Sequence, residues 1–166
     1  DNNYAASSGG GLYGERIDLD IVTSDFTENR ADVSGGAMYL WSNETKLWST
    51  TATRFANNSA PQGSAIEQYG VNTDHYLSNN TFVDNKTDEN GLGTYYLKSG
   101  ETVLLNTVFA YNSADPILAN SGGTYFPLYT TTWKNSGDIL ADATQPQGSP
   151  TDVNPAPLIF IDDSDP

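Results

Sequence analysis

The chain has 166 residues, of which 37% are hydrophobic and 11% aromatic, and its 21 acidic and 7 basic residues give a net charge of −14. This length fits one domain, and the aromatic content argues against intrinsic disorder. The scattered Lys and Arg exclude nucleic acid as a partner, and apolar runs far shorter than the ~18 residues of a membrane span exclude membrane insertion. With no Cys in the chain, disulfides and thiolate chemistry are excluded too.

In chain order, the predicted elements are a Gly-rich opening and a series of short strands. The opening at 2–13 looks like the part of a repeat that follows a Phe, so the chain begins in mid-repeat. Runs of β-prone residues then predict strands at 16–22, 46–52 and 102–109, each with one buried face. No window combines a helical apolar stripe with helix caps, which excludes helical solenoids.

The strongest pattern in the sequence is Phe-x-x-Asn, which occurs four times at intervals of 27 to 29 residues. The four pairs are Phe26 and Asn29, Phe55 and Asn58, Phe82 and Asn85, and Phe109 and Asn112. Trp133 to Asn135 is a degenerate fifth copy. Gly-rich segments follow the copies, and they predict tight corners with positive φ at Gly35, Gly36, Gly63 and Gly91.

A fixed period of this length is typical of a solenoid whose coils each hold three short strands. The sequence therefore predicts an all-β fold, a parallel β-helix of about five to six coils over residues 1–140. A Pro/Asp-rich capping segment or linker is predicted over 141–166. The recurring Phe side chains are expected to stack inside, and the recurring Asn side chains to cap turns and hydrogen-bond along the axis. Both are structural rather than catalytic roles.

The Phe-x-x-Asn and Gly-Gly-Ala pattern resembles the repeats of polymorphic outer-membrane proteins and, more widely, of pectin-lyase-like right-handed β-helices in bacterial surface proteins. The resemblance covers about residues 1–135, and its best copies are 26–40 and 55–66. The copy at 82–97 departs from it, with Gly-Leu-Gly in place of Gly-Gly. The resemblance implies a right-handed coil, an extracellular or cell-surface location and an adhesive or scaffolding duty, with enzymes elsewhere in the superfamily.

Candidate chemistry is sparse. Asn72-Thr73-Asp74 matches the Asn-Thr-Asp of β-helical polygalacturonases, and His75 follows it, so Asp74 and His75 are the catalytic candidates. The family's Gly-His-Gly and Arg-Ile-Lys are missing, and the same residues fit a polar turn. Oxygen ligands suit calcium, which makes calcium the one candidate cofactor, at Asp162, Asp163 and Asp165. Thr-rich stretches at 49–53 and 130–132 suggest ice binding as a further candidate function, although they do not recur in every coil.

Together these patterns predict a non-enzymatic, extracellular structural or adhesive module that exposes Trp41, Trp48 and Tyr69. The alternative is a carbohydrate-binding or polysaccharide-degrading β-helix. The expected partners of the protein are surface glycans or other copies of the chain. Because the chain opens in mid-coil, an unpaired strand edge is expected there. That edge predicts either excision from a longer β-helix or head-to-tail stacking into a filament with a rise of roughly 25 to 30 Å per subunit.

Overall fold

The computed structural model describes residues 1–88 and 91–136, and these form short strands and turns without a helix. In chain order the strands are β1 (Tyr4–Ala5), β2 (Leu12–Glu15), β3 (Leu19–Val22), β4 (Asp25–Thr27), β5 (Arg30–Ala31), β6 (Met38–Ser42), β7 (Lys46–Thr51), β8 (Arg54–Ala56), β9 (Ile66–Gly70), β10 (Thr73–Ser78), β11 (Thr81–Val83), β12 (Tyr95–Leu105), β13 (Val108–Ala110), β14 (Ile117–Leu128) and β15 (Thr131–Trp133). In these ranges no helix is long and apolar enough to cross a membrane.

The strands pair in parallel with their equivalents in the next coil. One sheet has five strands in the order β15-β13-β11-β8-β4, one from each coil, so the solenoid has about five coils. A second sheet runs β2-β6-β9-β12-β10-β7-β3, with β14 also on β12. This second sheet covers two sides of the coil. Its strand β12 pairs with β9 on one side and with β10 on the other, and it is continuous through the corner that separates those two strands. The predicted all-β parallel solenoid is confirmed.

The Phe side chains form a stack along the inside of the five-stranded sheet. Ring centroids are 5.2 Å apart for Phe26 and Phe55, 4.7 Å for Phe55 and Phe82, and 4.5 Å for Phe82 and Phe109. The planes of the rings are nearly parallel because parallel register places each Phe directly on the next. The predicted internal stack is present. In the next coil, however, Thr132 and not Trp133 pairs with Phe109, so the stack ends there.

The Asn side chains form a ladder that is longer than the motif indicates. In each step, the side-chain amide of one Asn donates to Oδ1 of the Asn in the next coil at 2.8 to 3.0 Å. The next Asn in turn donates to the carbonyl of the Phe before the first, as Asn85 does to Phe55 at 2.9 Å. Asn3 and Asn135 extend the ladder beyond the four motif copies. Every coil is therefore bonded to its neighbour along the axis.

The corners of the coil depend on single residues with left-handed backbone. At two of the corners these residues are not glycine. At the corner before each ladder Asn they are Asn2, Glu28, Asn57, Asp84, Tyr111 and Lys134. At the corner before the Phe sheet they are Thr23, Ala52, Asn79, Asn106 and Tyr129. Such corners shorten the predicted strands: the strand at 46–52 ends before Ala52, and the one at 102–109 is broken at Asn106. The strand predicted at 16–22 begins only at Leu19, because Arg16 is also left-handed and forms a corner.

The glycine predictions are correct at Gly35 and Gly63, with φ of 61° and 57°, but wrong at Gly36 and Gly91. In the fourth coil Gly93 has the positive φ, 58°. Gly36 is needed for a different reason, because a Cβ there would lie 2.1 Å from the carbonyl oxygen of Ser64 in the next coil. Glycine at this corner thus serves either a left-handed turn or a close approach of two coils.

Replacing Thr23 with Gly is expected to stabilise the protein by about 1 kcal/mol. Thr23 is exposed and β-branched, and its φ is 47°, a region in which a β-branched side chain is strained. Chemical denaturation of both proteins measures the difference. The matched control is Thr45→Gly, at an exposed Thr outside the left-handed region, which should lower the stability. A loss at both positions would contradict the strain at Thr23.

Candidate functional site

An outward surface of the second sheet, here called the aromatic face, concentrates ring and charged side chains. Its strands alternate, so that on β6 Met38 and Leu40 enter the core while Tyr39 and Trp41 face outward. Register then aligns successive coils, with Tyr13 beside Tyr39 and Trp41 beside Tyr69. The members of the face are Tyr13, Glu15, Arg16, Tyr39, Trp41, Glu67, Tyr69, Tyr96 and Lys98.

The rings of the aromatic face are held in fixed orientations. Tyr13 and Tyr39 stack at 5.2 Å with an angle of 15° between their planes. Lys98 lies between two rings, with Nζ 5.4 Å from the centroid of Tyr69 and 5.8 Å from that of Tyr96. Tyr13 and Tyr69 are 55% and 42% exposed, so these two rings are accessible to a ligand. Burial raises the pKa of Tyr39 to about 12, and its hydroxyl therefore stays protonated as a donor.

Each cation of the aromatic face has a carboxylate of the same face beside it. Arg16 Nε lies 3.9 Å from Glu15 Oε1 and its guanidinium covers Trp41 at 4.9 Å. Lys98 Nζ lies 3.2 Å from Glu67 Oε1. The face is therefore locally neutral on a strongly acidic protein.

Glu67 is the most buried charged group of this face, with 1% of its surface exposed. Its other carboxylate oxygen, Oε2, has no hydrogen-bond partner among the described residues. Burial raises the pKa of Glu67, and the neighbouring Lys98 and Ser34 partly oppose this shift. A buried acceptor without a donor carries a desolvation cost that a bound donor would relieve.

The sequence located this face only in part. Trp41 is partly exposed and Tyr69 is exposed, as expected, but Trp48 is wrong: only 1% of it is accessible, and its Nε1 donates to the carbonyl of Ile17 at 2.8 Å. Tyr13, Tyr39 and Tyr96 were missed. The signal for them was the alternation of apolar and aromatic residues directly after each Gly-rich corner, as in Met38-Tyr39-Leu40-Trp41.

The two catalytic candidates lie on opposite sides of one strand. Asp74 and His75 are both on β10, so the polar turn expected for them is wrong; the turn is at 71–72, and of the motif only Asn72 belongs to it. Asp74 lines an outer groove of about 530 Å³, in which Glu101 of the next coil is its register partner. His75 points into the core and is fully buried. A substrate in the groove would therefore meet Asp74 without His75.

His75 belongs to a polar network inside the core. The Tyr95 hydroxyl donates to Gln68 Oε1 and so accepts from His75 Nδ1 at 2.8 Å. His75 Nε2 then accepts from the Thr50 hydroxyl at 2.9 Å. Burial lowers the pKa of His75 to about 3, so the ring is neutral and both nitrogens are satisfied. These contacts explain His75 as a structural residue.

Within residues 1–88 and 91–136, no group of three or more His, Asp or Glu side chains is arranged to hold a metal ion. The calcium candidates Asp162, Asp163 and Asp165, like the predicted segment 141–166, lie outside the described residues. The repeat residues Phe82 and Asn85, which are typical of their sets, are buried in the stack and the ladder. Of the surfaces described, the aromatic face thus has the clearest features of a binding site.

Comparison with protein-family models gives no match, and no curated protein or solved structure matches the chain significantly.

Proposed function

We propose that this protein is a non-enzymatic, extracellular adhesive module that binds glycans on its aromatic face. The observation that carries the proposal is the pair of accessible rings, Tyr13 and Tyr69, held on a rigid parallel sheet beside polar groups. Aromatic rings contribute large, rigid contact areas at low entropic cost, and polar groups beside them fix the orientation of a ligand. The apolar face of a sugar ring and its hydroxyl rim complement those two features.

The spacing of the face supports an extended ligand. Successive coils are ~4.8 Å apart, a step similar in length to one sugar unit of a stretched polysaccharide. Consecutive units of such a chain would meet side chains of consecutive coils, as with the adjacent pair Trp41 and Tyr69. The proposal also agrees with the surface location that the resemblance to polymorphic outer-membrane proteins and pectin-lyase-like β-helices implies.

Binding without turnover is favoured over a glycan-degrading activity. Polysaccharide hydrolysis requires two carboxyl groups in defined acid and base roles. In the outer groove Asp74 lies beside Glu101, but the described residues that line this groove include no imidazole or cation, and His75 is buried. The aromatic face offers Glu15 and Glu67, and each of these carboxylates has a cation beside it, Arg16 and Lys98 respectively.

Replacing Tyr69 with Ala is expected to weaken glycan binding at least about tenfold, because an accessible ring is removed from the centre of the face. Binding is measured on an array of β-linked glucose, mannose, xylose, glucuronic acid and galacturonic acid hexamers. The matched control is Tyr76→Ala, which removes a ring of similar exposure, 47% against 42%, from the neighbouring side of the coil. Light scattering at the same concentrations excludes assembly as the source of binding. The proposal is contradicted by equal effects at both positions, or by no glycan binding at all.

A further inference from the structure

We propose that the aromatic face selects neutral glycans over glycans that contain uronic acids, with Glu67 as the residue that determines this specificity. The inference rests on the proposed glycan-binding function and adds the ligand class. It follows from three features of the face: the pairing of its cations, the free oxygen of Glu67 and the surrounding charge.

The first feature is that each cation of the face has a carboxylate beside it. A uronic acid is recognised by Lys or Arg that can form a charge-assisted hydrogen bond to its carboxylate. Here Lys98 is paired with Glu67 at 3.2 Å and Arg16 lies near Glu15 at 3.9 Å. An incoming carboxylate would have to displace Glu67 from Lys98, and at Arg16 it would be repelled by the neighbouring carboxylate of Glu15.

The second feature is the kind of hydrogen bond that Glu67 can offer. Its Oε2 is buried and lacks a donor among the described residues, and an ionised carboxylate only accepts. A sugar hydroxyl is a donor of the right kind, whereas a second carboxylate is another acceptor and is repelled. Lys98 contacts Oε1 at 3.2 Å and its side chain is 35% exposed, so a movement of its flexible stem would give a hydroxyl of the ligand access to the Glu67 carboxylate.

The third feature is the field of the whole protein. With a net charge of −14, the protein repels polyanions over the Debye length of about 8 Å at physiological salt. Three other cations, Arg30, Lys46 and Arg54, are paired elsewhere with acidic residues. Lys86 lines a different surface, beside Arg30 and Ser59, and Lys134 lies over the rings of Tyr111 and Trp133, so neither belongs to the face. Neutral glycans experience no such repulsion.

The test compares neutral and acidic hexamers by isothermal titration calorimetry. The wild-type protein is expected to bind the tightest neutral hexamer of glucose, mannose or xylose at least about tenfold more tightly than the glucuronic and galacturonic acid hexamers. Glu67→Gln frees Lys98 for the uronate and removes the repelling carboxylate, so this preference should fall at least about tenfold. Glu101→Gln, at an exposed acid outside the face, should leave the preference unchanged.

A second variant keeps the inference testable if Glu67→Gln does not fold, which thermal unfolding by circular dichroism will show. Lys98→Gln retains the carboxylate without its cation, so the preference for neutral hexamers should persist. Tight binding of uronates by the wild-type protein, or an unchanged preference in folded Glu67→Gln, would overturn the inference but leave glycan binding intact. Absence of binding to any hexamer would instead overturn the proposed function and the inference together.

Discussion

Replacing Phe82 with Ala is expected to lower the free energy of unfolding by about 3 to 5 kcal/mol. The ring is fully buried and lies between Phe55 at 4.7 Å and Phe109 at 4.5 Å, so one substitution removes two stacking contacts. The backbones around it are fixed by parallel pairing with both neighbouring coils, which prevents the walls from collapsing into the cavity. Equilibrium denaturation in urea measures the loss.

Trp48 and Tyr76 provide the comparison for Phe82. Trp48→Ala should cost a similar amount, since Trp48 is buried inside the coil and not on its outer surface. Tyr76→Ala, at a ring that is 47% exposed, should cost much less. If Phe82 and Trp48 both gave losses as small as that of Tyr76, the assignment of inward and outward positions would be wrong.

Lowering the pH from 6.5 towards 3 is expected to destabilise the protein through His75 by about 1.4 kcal/mol per pH unit. Burial lowers the pKa of His75 from 6.5 to about 3. Below pH 6.5 the unfolded chain therefore binds a proton that the folded chain does not bind. The stability that the neutral ring contributes is fully present above pH 6.5 and is lost as the pH falls through this window.

The His75→Gln variant isolates this effect from the titration of the acidic residues. Gln is uncharged throughout the window, and the carboxylates are the same in both proteins, so the difference in slope between the two stability curves belongs to His75. Denaturation is measured at half-unit steps between pH 4 and 7. Parallel curves would show that His75 is accessible to protons in the folded state, against the burial described here.

The stack and the ladder were predictable because their residues recur at one coil position. A repeated Phe followed three residues later by Asn can satisfy its contacts only with its own copies, so the period alone places Phe82 over Phe55. The fifth copy is correct at Asn135, which joins the ladder, but wrong at Trp133. Trp133 precedes Asn135 by two residues and not by three, so Thr132 takes the position expected for Trp133.

The side of the coil to which a residue points was harder to predict. Leu47 and Trp48 are adjacent and both apolar, so alternation does not determine which one enters the core; the structure buries Trp48 and exposes 53% of Leu47. A left-handed residue such as Ala52 turns the chain only after this strand has ended. His75 then follows Trp48 inward because parallel register pairs the two residues. Most of the aromatic face was missed although its alternation is visible in the sequence, as in Met38-Tyr39-Leu40-Trp41.

The direction of the ladder bonds determines how this protein bears mechanical load. The hydrogen bonds between coils run along the axis, as from Asn58 to Asn85 and from Asn85 to Asn112. A pull along that axis loads all the coil boundaries in series, so the weakest boundary opens first and the coils separate one after another. Each released coil of 27 residues adds roughly 90 Å of extended chain. A module pulled along its axis would therefore lengthen in steps and dissipate force.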